Sequence, residues 1–177
     1  TASGLYSTAM GYVTEASGIA SIAMGFSTNA SGNYSTAMGD GTTANNDFST
    51  AMGQATNANG IASTAMGVRT TASGTNSIAM GFVTTASDYG SVVIGQYNSA
   101  GSSVSTGGSA TAFDTDNTAF VIGKGTGTAV GSRSDAFKVL FNGNTTAAGT
   151  VTANGFVGDG SGLTGVTTDA VFLPTVV

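Results

Sequence analysis

Ser7-Thr-Ala-Met-Gly11, Ser21-Ile-Ala-Met-Gly25, Ser35-Thr-Ala-Met-Gly39 and Ser49-Thr-Ala-Met-Gly53 are one phrase repeated every 14 residues. Further copies begin at Ser63, Ser77 and Ser91. All six methionines of the chain, Met10, Met24, Met38, Met52, Met66 and Met80, hold the same slot, which Ile94 takes in the last copy. A second phrase keeps the beat with Ala2, Ala16, Ala30, Ala44, Ala58, Ala72, Ala86 and Ala100. A short fixed period means one structural unit stacked on itself. Low charge with abundant Gly and Ser is also a composition of disordered chains, but a disordered tract has no reason to hold one residue in register.

Each half of the unit is a short apolar alternation bounded by Gly, with Val, Thr, Ile, Tyr and Phe recurring and no Pro between. No window carries the 3.6-residue apolar period, so helix is disfavoured. The pattern predicts two five-residue strands and two tight turns per coil of a parallel β-solenoid. Gly123 follows Gly95 by two periods, which places a degenerate coil with its slot at Ser109 and brings Ala119-Phe-Val-Ile-Gly123 back into phase. Stacking is therefore expected to run unbroken to about residue 123, as nine coils and a rod of roughly 40 Å.

Side chains alternate across a strand. A 14-residue coil is too narrow for large side chains, so the Ser, Ala and Gly face is expected to point inward. The Met column then points outward beside Thr8, Ile22, Thr36, Thr50, Thr64, Ile78 and Val92. Burying such a column would recover about 1.5–3 kcal/mol for each Met, and three chains sharing one axis would do so. The alternative is a wider monomeric solenoid with the methionines inside.

After Gly123 the period stops. Ala136-Phe-Lys-Val-Leu-Phe141 reads as a strand, Asn142-Gly143 as a turn, and Thr150-Val-Thr152 as the return strand before a second turn at Asn154-Gly155. The Gly-rich run from Phe156 to Val166 cannot form a core alone. Residues 1–123 are thus expected to be a β-roll head and residues 124–177 a β-rich stalk or neck leaning on partner chains. The start at Thr1 and the apolar end from Ala170 to Val177 read as a piece of something longer.

Composition excludes several functions. Only Arg69, Lys124, Arg133 and Lys138 are basic, against a net charge of −5, so no cationic surface exists to follow nucleic acid phosphates. The chain has no Cys and no His, which removes the usual ligands of zinc and haem and the usual Cys or Ser-His nucleophiles. No stretch approaches the roughly 20 apolar residues of a membrane-spanning helix, so this segment is not expected to insert in a membrane. No cofactor or metal is expected.

Single motifs weigh little. Gly160-Ser-Gly-Leu-Thr-Gly165 fits a dinucleotide fingerprint but lacks the flanking strand, helix and acid, and reads as a glycine-rich turn. Asp114-Thr-Asp116-Asn117 could open a calcium loop but lacks the Gly and Glu that would complete it. Asn29-Ala-Ser31, Asn33-Tyr-Ser35 and Asn144-Thr-Thr146 are sequons that matter only in a eukaryotic secretory pathway. Glu15, Asp40, Asp47 and Asp88 sit at unmatched slots and do not form a glycosidase pair. No enzymatic activity is expected. Recognition would fall to exposed aromatics before each Ser or after each Gly, namely Tyr6, Tyr12, Phe26, Tyr34, Phe48 and Phe82, unless these cover roll edges or pack between chains. The Thr14, Thr28, Thr42, Thr56, Thr70 and Thr84 column suggests an ice-ordering array.

The repeated Ser-x-Ala-Met/Ile-Gly with Thr-x-Ala-Ser-Gly between copies resembles the head repeats of trimeric autotransporter adhesins, the YadA-like class. Ser91-Val-Val-Ile-Gly95 and Phe120-Val-Ile-Gly123 carry the likeness most closely. The resemblance implies a left-handed parallel β-roll in an intertwined homotrimer, displayed outside a cell for attachment. Ser134–Asn144 and Gly158–Val166 are instead similar to segments of phage and viral tail fibres. The sequence as a whole is read as an all-β trimeric fibre segment mediating extracellular attachment, on a bacterial surface or a virus particle. Its partners would be two further copies of itself and a host or matrix glycan or protein. The alternatives are a structural spacer whose binding tip lies elsewhere and, remotely, an ice- or surface-binding solenoid.

Overall fold

The computed structural model describes residues 1–99 and 105–152. Each 14-residue coil contributes one long and one short strand. In chain order these are β1 (Thr8–Tyr12), β2 (Glu15–Ala16), β3 (Ile22–Phe26), β4 (Asn29–Ala30), β5 (Thr36–Asp40), β6 (Thr43–Ala44) and β7 (Thr50–Gln54). They continue as β8 (Asn57–Ala58), β9 (Thr64–Val68), β10 (Thr71–Ala72), β11 (Ile78–Phe82), β12 (Thr85–Ala86) and β13 (Val92–Gln96). Equivalent residues pair in parallel, Met24 opposite Met38 and Ala30 opposite Ala44, so the sequence period is the stacking register. This is an all-β parallel solenoid. The second strand has two residues rather than the expected five, because corners consume the rest of that half.

Those corners are held in the left-handed region by ordinary residues. Val13, Ser27, Ala55, Arg69 and Val83 (φ 52–55°) turn the chain after the long strand, and Tyr6, Ala20, Tyr34, Phe48 and Ala62 (φ 51–60°) turn it before the next. Such residues cost about 1–2 kcal/mol each in this conformation. They persist because the hydrogen-bond ladder runs through the corners: Ser27 N donates to Tyr12 O at 2.9 Å, and Ala55 N to Asp40 O at 2.7 Å.

The interior is narrow and made of small side chains. Ala23, Ala37, Ala51, Ala65 and Ala79 of the long strands meet Ala16, Ala30, Ala44, Ala58, Ala72 and Ala86 of the short ones, all fully buried. The Ser that opens each phrase from Ser21 to Ser91 is buried too, and in several coils its hydroxyl closes the turn behind it: Ser21 Oγ donates to Gly18 O at 2.7 Å and Ser35 Oγ to Gly32 O at 2.6 Å. The expected inward placement of Ser and Ala is thus the structure's, with the methionines outside the coil. The Gly of the phrase, however, is not inside: Gly25, Gly39 and Gly53 are exposed, because the backbone there faces the next rung rather than the interior.

The threonine column overturns an expectation. Thr28, Thr42, Thr56, Thr70 and Thr84 are at most 1% exposed and line the interior, so this column presents no array to ice. Their Oγ1 atoms have no hydrogen-bond partner. A buried hydroxyl without a partner costs about 1–3 kcal/mol, whereas valine has nearly the same shape. Thr56→Val is therefore expected to stabilise the fold by about 1 kcal/mol, read as a rise in thermal midpoint by circular dichroism; a fall would mean that the hydroxyl has a partner in solution.

The stack also ends differently from the expectation. β14 (Thr118–Lys124) lies directly on β13, with Gly95 opposite Gly123 and Ile94 opposite Ile122. There is no coil between them, so the degenerate unit at Ser109 and the count of nine are both wrong. Ser109 instead accepts a hydrogen bond from Tyr89 N, and neighbouring Ala110 one from Thr75 N, both at 2.8 Å, along the corner of earlier coils.

Polar side chains replace the absent rung. Asn98, fully buried in the slot of the threonine column, accepts from Thr85 N through Oδ1 at 2.8 Å and donates to Thr85 O through Nδ2 at 2.9 Å. Its amide thus mimics the next short strand and closes the edge of β12. Buried Asp88 accepts from Ser105 N at 2.7 Å and from Ser105 Oγ and Thr118 N, each at 2.6 Å, fixing where β14 starts. Asn98→Ala leaves both Thr85 backbone groups unpaired and is expected to cost about 2–3 kcal/mol, measured by chemical unfolding; an unchanged midpoint would refute the capping role.

Beyond a single 3-10 turn (Val130–Ser132), β15 (Asp135–Leu140) pairs antiparallel with β14, and β16 (Thr145–Ala147) antiparallel with β15. The long sheet thus changes from parallel to antiparallel as it leaves the roll. The turn at Asn142-Gly143 forms as expected, but the return strand comes at Thr145–Ala147 rather than at 150–152, which lies outside any strand. The expected turn at Asn154-Gly155, the Phe156–Val166 run and the Gly160–Gly165 motif lie outside the described residues.

Candidate functional site

The small interior forces large side chains onto the outside, and the register lines them up. Met10, Met24, Met38, Met52, Met66 and Met80 are stacked rung on rung on the outward face of the long sheet. Ile94 and Ile122 extend the column at its end. Sequence reasoning missed Ile122, since a supposed extra coil separated it from Ile94. Met10 at the first rung is 60% exposed, and the later members are half-buried by one another. Thr8, Ile22, Thr36, Thr50, Thr64, Ile78 and Val92 flank the column on one side, and Tyr12, Phe26, Asp40, Gln54, Val68, Phe82 and Gln96 on the other.

The six aromatic candidates fall in two places. Tyr12, Phe26 and Phe82 end long strands on the Met face, where Tyr12 and Phe26 stack at 5.4 Å and 15°. Tyr6, Tyr34 and Phe48 occupy the left-handed corner, where Tyr34 and Phe48 stack at 5.2 Å and 6°. Tyr6 stands apart, 82% exposed. Phe82 meets Tyr97 edge to face at 5.2 Å, and Phe113 meets Phe141 likewise. Those partners arise where the chain leaves the regular stack, which no periodic signal could reveal.

Asp40, Asp47 and Asp88 are hydrogen-bond acceptors within the scaffold, and Glu15 is exposed. Asp47 accepts from Asn33 N at 2.9 Å, Asp40 from Gln54 Nε2 at 3.2 Å, and Asp88 caps β14 as described above. In the Asp114–Asn117 turn, Asp114 accepts from Asp116 N at 2.9 Å, Asp116 accepts from Asn142 Nδ2 at 3.0 Å, and Asn117 Nδ2 donates to Ala112 O at 3.0 Å. Among the described residues there is no group of three acidic side chains able to hold a metal, and no helix long and apolar enough to cross a membrane. The arrangement offers a repeated surface for contact.

Comparison with known families matches the chain to the YadA head domain repeat in overlapping two-copy blocks at residues 2–28, 16–42, 30–56, 44–70, 58–84 and 72–98. The blocks together cover more than half of the 177 residues and step by the structural coil. No curated protein matches the sequence.

Proposed function

The chain belongs to the YadA head domain repeat family, a structural, adhesin-type repeat, and on that premise we propose that it is a trimeric fibre segment for attachment outside the cell. The observation that carries this reading is the outward column from Met10 to Ile122. In a single chain it leaves a strip about 35 Å long on one face. Met and Ile run along its centre, with Thr, Ile and Val on one flank and Tyr, Phe, Val, Asp and Gln on the other. A continuous line of apolar side chains along one face of a solenoid is surface of the kind that marks a contact between chains. Three chains that turn this face to a common axis bury it, and all three keep their short sheets and corners free for contacts with a surface.

In this reading residues 1–123 are the head and the remainder a stalk, and the segment is displayed on a cell surface or a particle. Each repeat supplies a weak contact, and repetition along and around the fibre multiplies them. Immobilised matrix proteins or host glycans should retain the assembly at least about tenfold better than a single-chain form of the same fold. An assembled protein that binds none of them would overturn the attachment reading and leave a spacer, to which the even rod and its plain polar short sheet are equally suited.

A further inference from the structure

Resting on that attachment reading, we propose that the corner bearing Tyr6, Tyr34 and Phe48 binds the pyranose ring of an uncharged glycan. Successive coils place Tyr6, Ala20, Tyr34, Phe48, Ala62 and Asn76 in one column. Tyr34 and Phe48 form a nearly parallel ring pair, 56% and 58% exposed. Alanine precedes the pair and alanine follows it, so the outer face of each ring is uncovered by the column.

Backbone conformation points the same way. The three aromatics sit at φ 58–60°, where a bulky side chain is unfavourable and neighbouring coils manage with alanine or asparagine. The hydrogen-bond ladder holds this corner in every coil whatever the residue, so the fold itself does not require an exposed aromatic there.

Spacing and polarity define the ligand. Tyr6 and Tyr34 lie two rungs apart, about 9.6 Å, with only Ala20 between them. A flat ring gripped between two others needs about 7 Å, and a saturated chair about 8–9 Å, so the gap suits the chair. Beside the rings, Asn33 accepts from Ile19 N through Oδ1 at 3.0 Å, which leaves its Nδ2 to donate. Asp47 accepts from Asn33 N through Oδ1, which leaves Oδ2 to accept. Rings for the C–H face and an amide and carboxylate for the hydroxyls match the two surfaces of a pyranose. Charge restricts the class further: Asp47 lies at the site, and the four cations of the chain lie at Arg69 and beyond, so sulfated and sialylated chains are repelled.

Saturation-transfer NMR on the assembled protein tests this, with maltotriose, triacetylchitotriose and lactose as probes and a heparin tetrasaccharide as the charged comparison. At least one neutral sugar should receive transfer, and the heparin fragment none. The double variant Tyr34→Asn/Phe48→Asn, which keeps residues tolerant of the left-handed corner, should weaken that binding about tenfold at unchanged assembly mass and melting temperature. Absence of transfer to every neutral sugar, transfer undiminished in the variant, or a variant that loses assembly because the rings pack between chains would each overturn the proposal. Matrix binding retained in the variant while its sugar binding is intact or absent throughout would reject the sugar site and leave the attachment reading standing.

Discussion

Gly53→Ala is expected to cost about 3 kcal/mol or more, lowering the thermal midpoint by roughly 10 °C. Gly53 sits at φ +119°, where side-chain-bearing residues rarely go, and every coil puts glycine there. A Cβ at this position would overlap the carbonyl oxygen of Gly67 on the next rung and stand 3.0 Å from its carbonyl carbon and 3.1 Å from its amide nitrogen. All of these are backbone atoms locked in the ladder, so relief requires opening the stack. In a solenoid each coil is supported by its neighbours, and a broken rung weakens both sides. Gly41→Ala is the matched control. Gly41 also has positive φ, +62°, but its nearest neighbour would be the Ala55 Cα at 3.9 Å, and other coils carry Val, Ser, Ala or Arg in that slot. Its cost should stay near 1 kcal/mol. Equal losses in the two variants, compared by thermal unfolding, would show that conformation alone and not rung contact sets the glycine requirement.

Met38→Asp combined with Met52→Asp is expected to reduce the assembly to single chains that keep the roll. Both side chains point away from the coil, so the interior of alanines and serines is untouched. At a shared axis the pair removes about 3–6 kcal/mol of apolar burial per chain. It also places six like charges where little water reaches, each costing several kcal/mol. Sedimentation should report the 17.1 kDa chain, with the β signature in circular dichroism retained. Asn57→Asp on the outward side of β8 adds charge without touching the Met face and should leave the mass unchanged. A double Met variant that stays assembled would place the contacts between chains elsewhere.

Much of this architecture is legible because a parallel solenoid copies its period into its register. The methionine spacing becomes Met-on-Met stacking, and the small Ser and Ala of one phrase become the interior. Reading fails where the chain turns. Alternation puts Ser7, Ala9 and Gly11 on one face, but the left-handed residue at Val13 consumes a step without changing layer. Parity reverses there, and Thr14 and Ala16 point inward. An array of threonines that looked like a surface was therefore interior. The second failure is one of phase. Gly95 and Gly123 are separated by two periods, which a looped-out segment satisfies as well as a buried coil does. What decides between them is Asn98, whose side chain substitutes for a backbone rung, and Asp88, which starts β14 by hydrogen bonds spanning 17 and 30 residues. The corner aromatics were visible as variable residues, but their pairing across coils and their left-handed backbone were not.

The most direct test of the account is the mass of the native protein in solution by sedimentation equilibrium. The outward Met column predicts a stable species three times the 17.1 kDa of one chain. A folded species of 17.1 kDa would mean that the column remains exposed on an isolated solenoid, and would contradict the shared axis on which the proposed fibre depends.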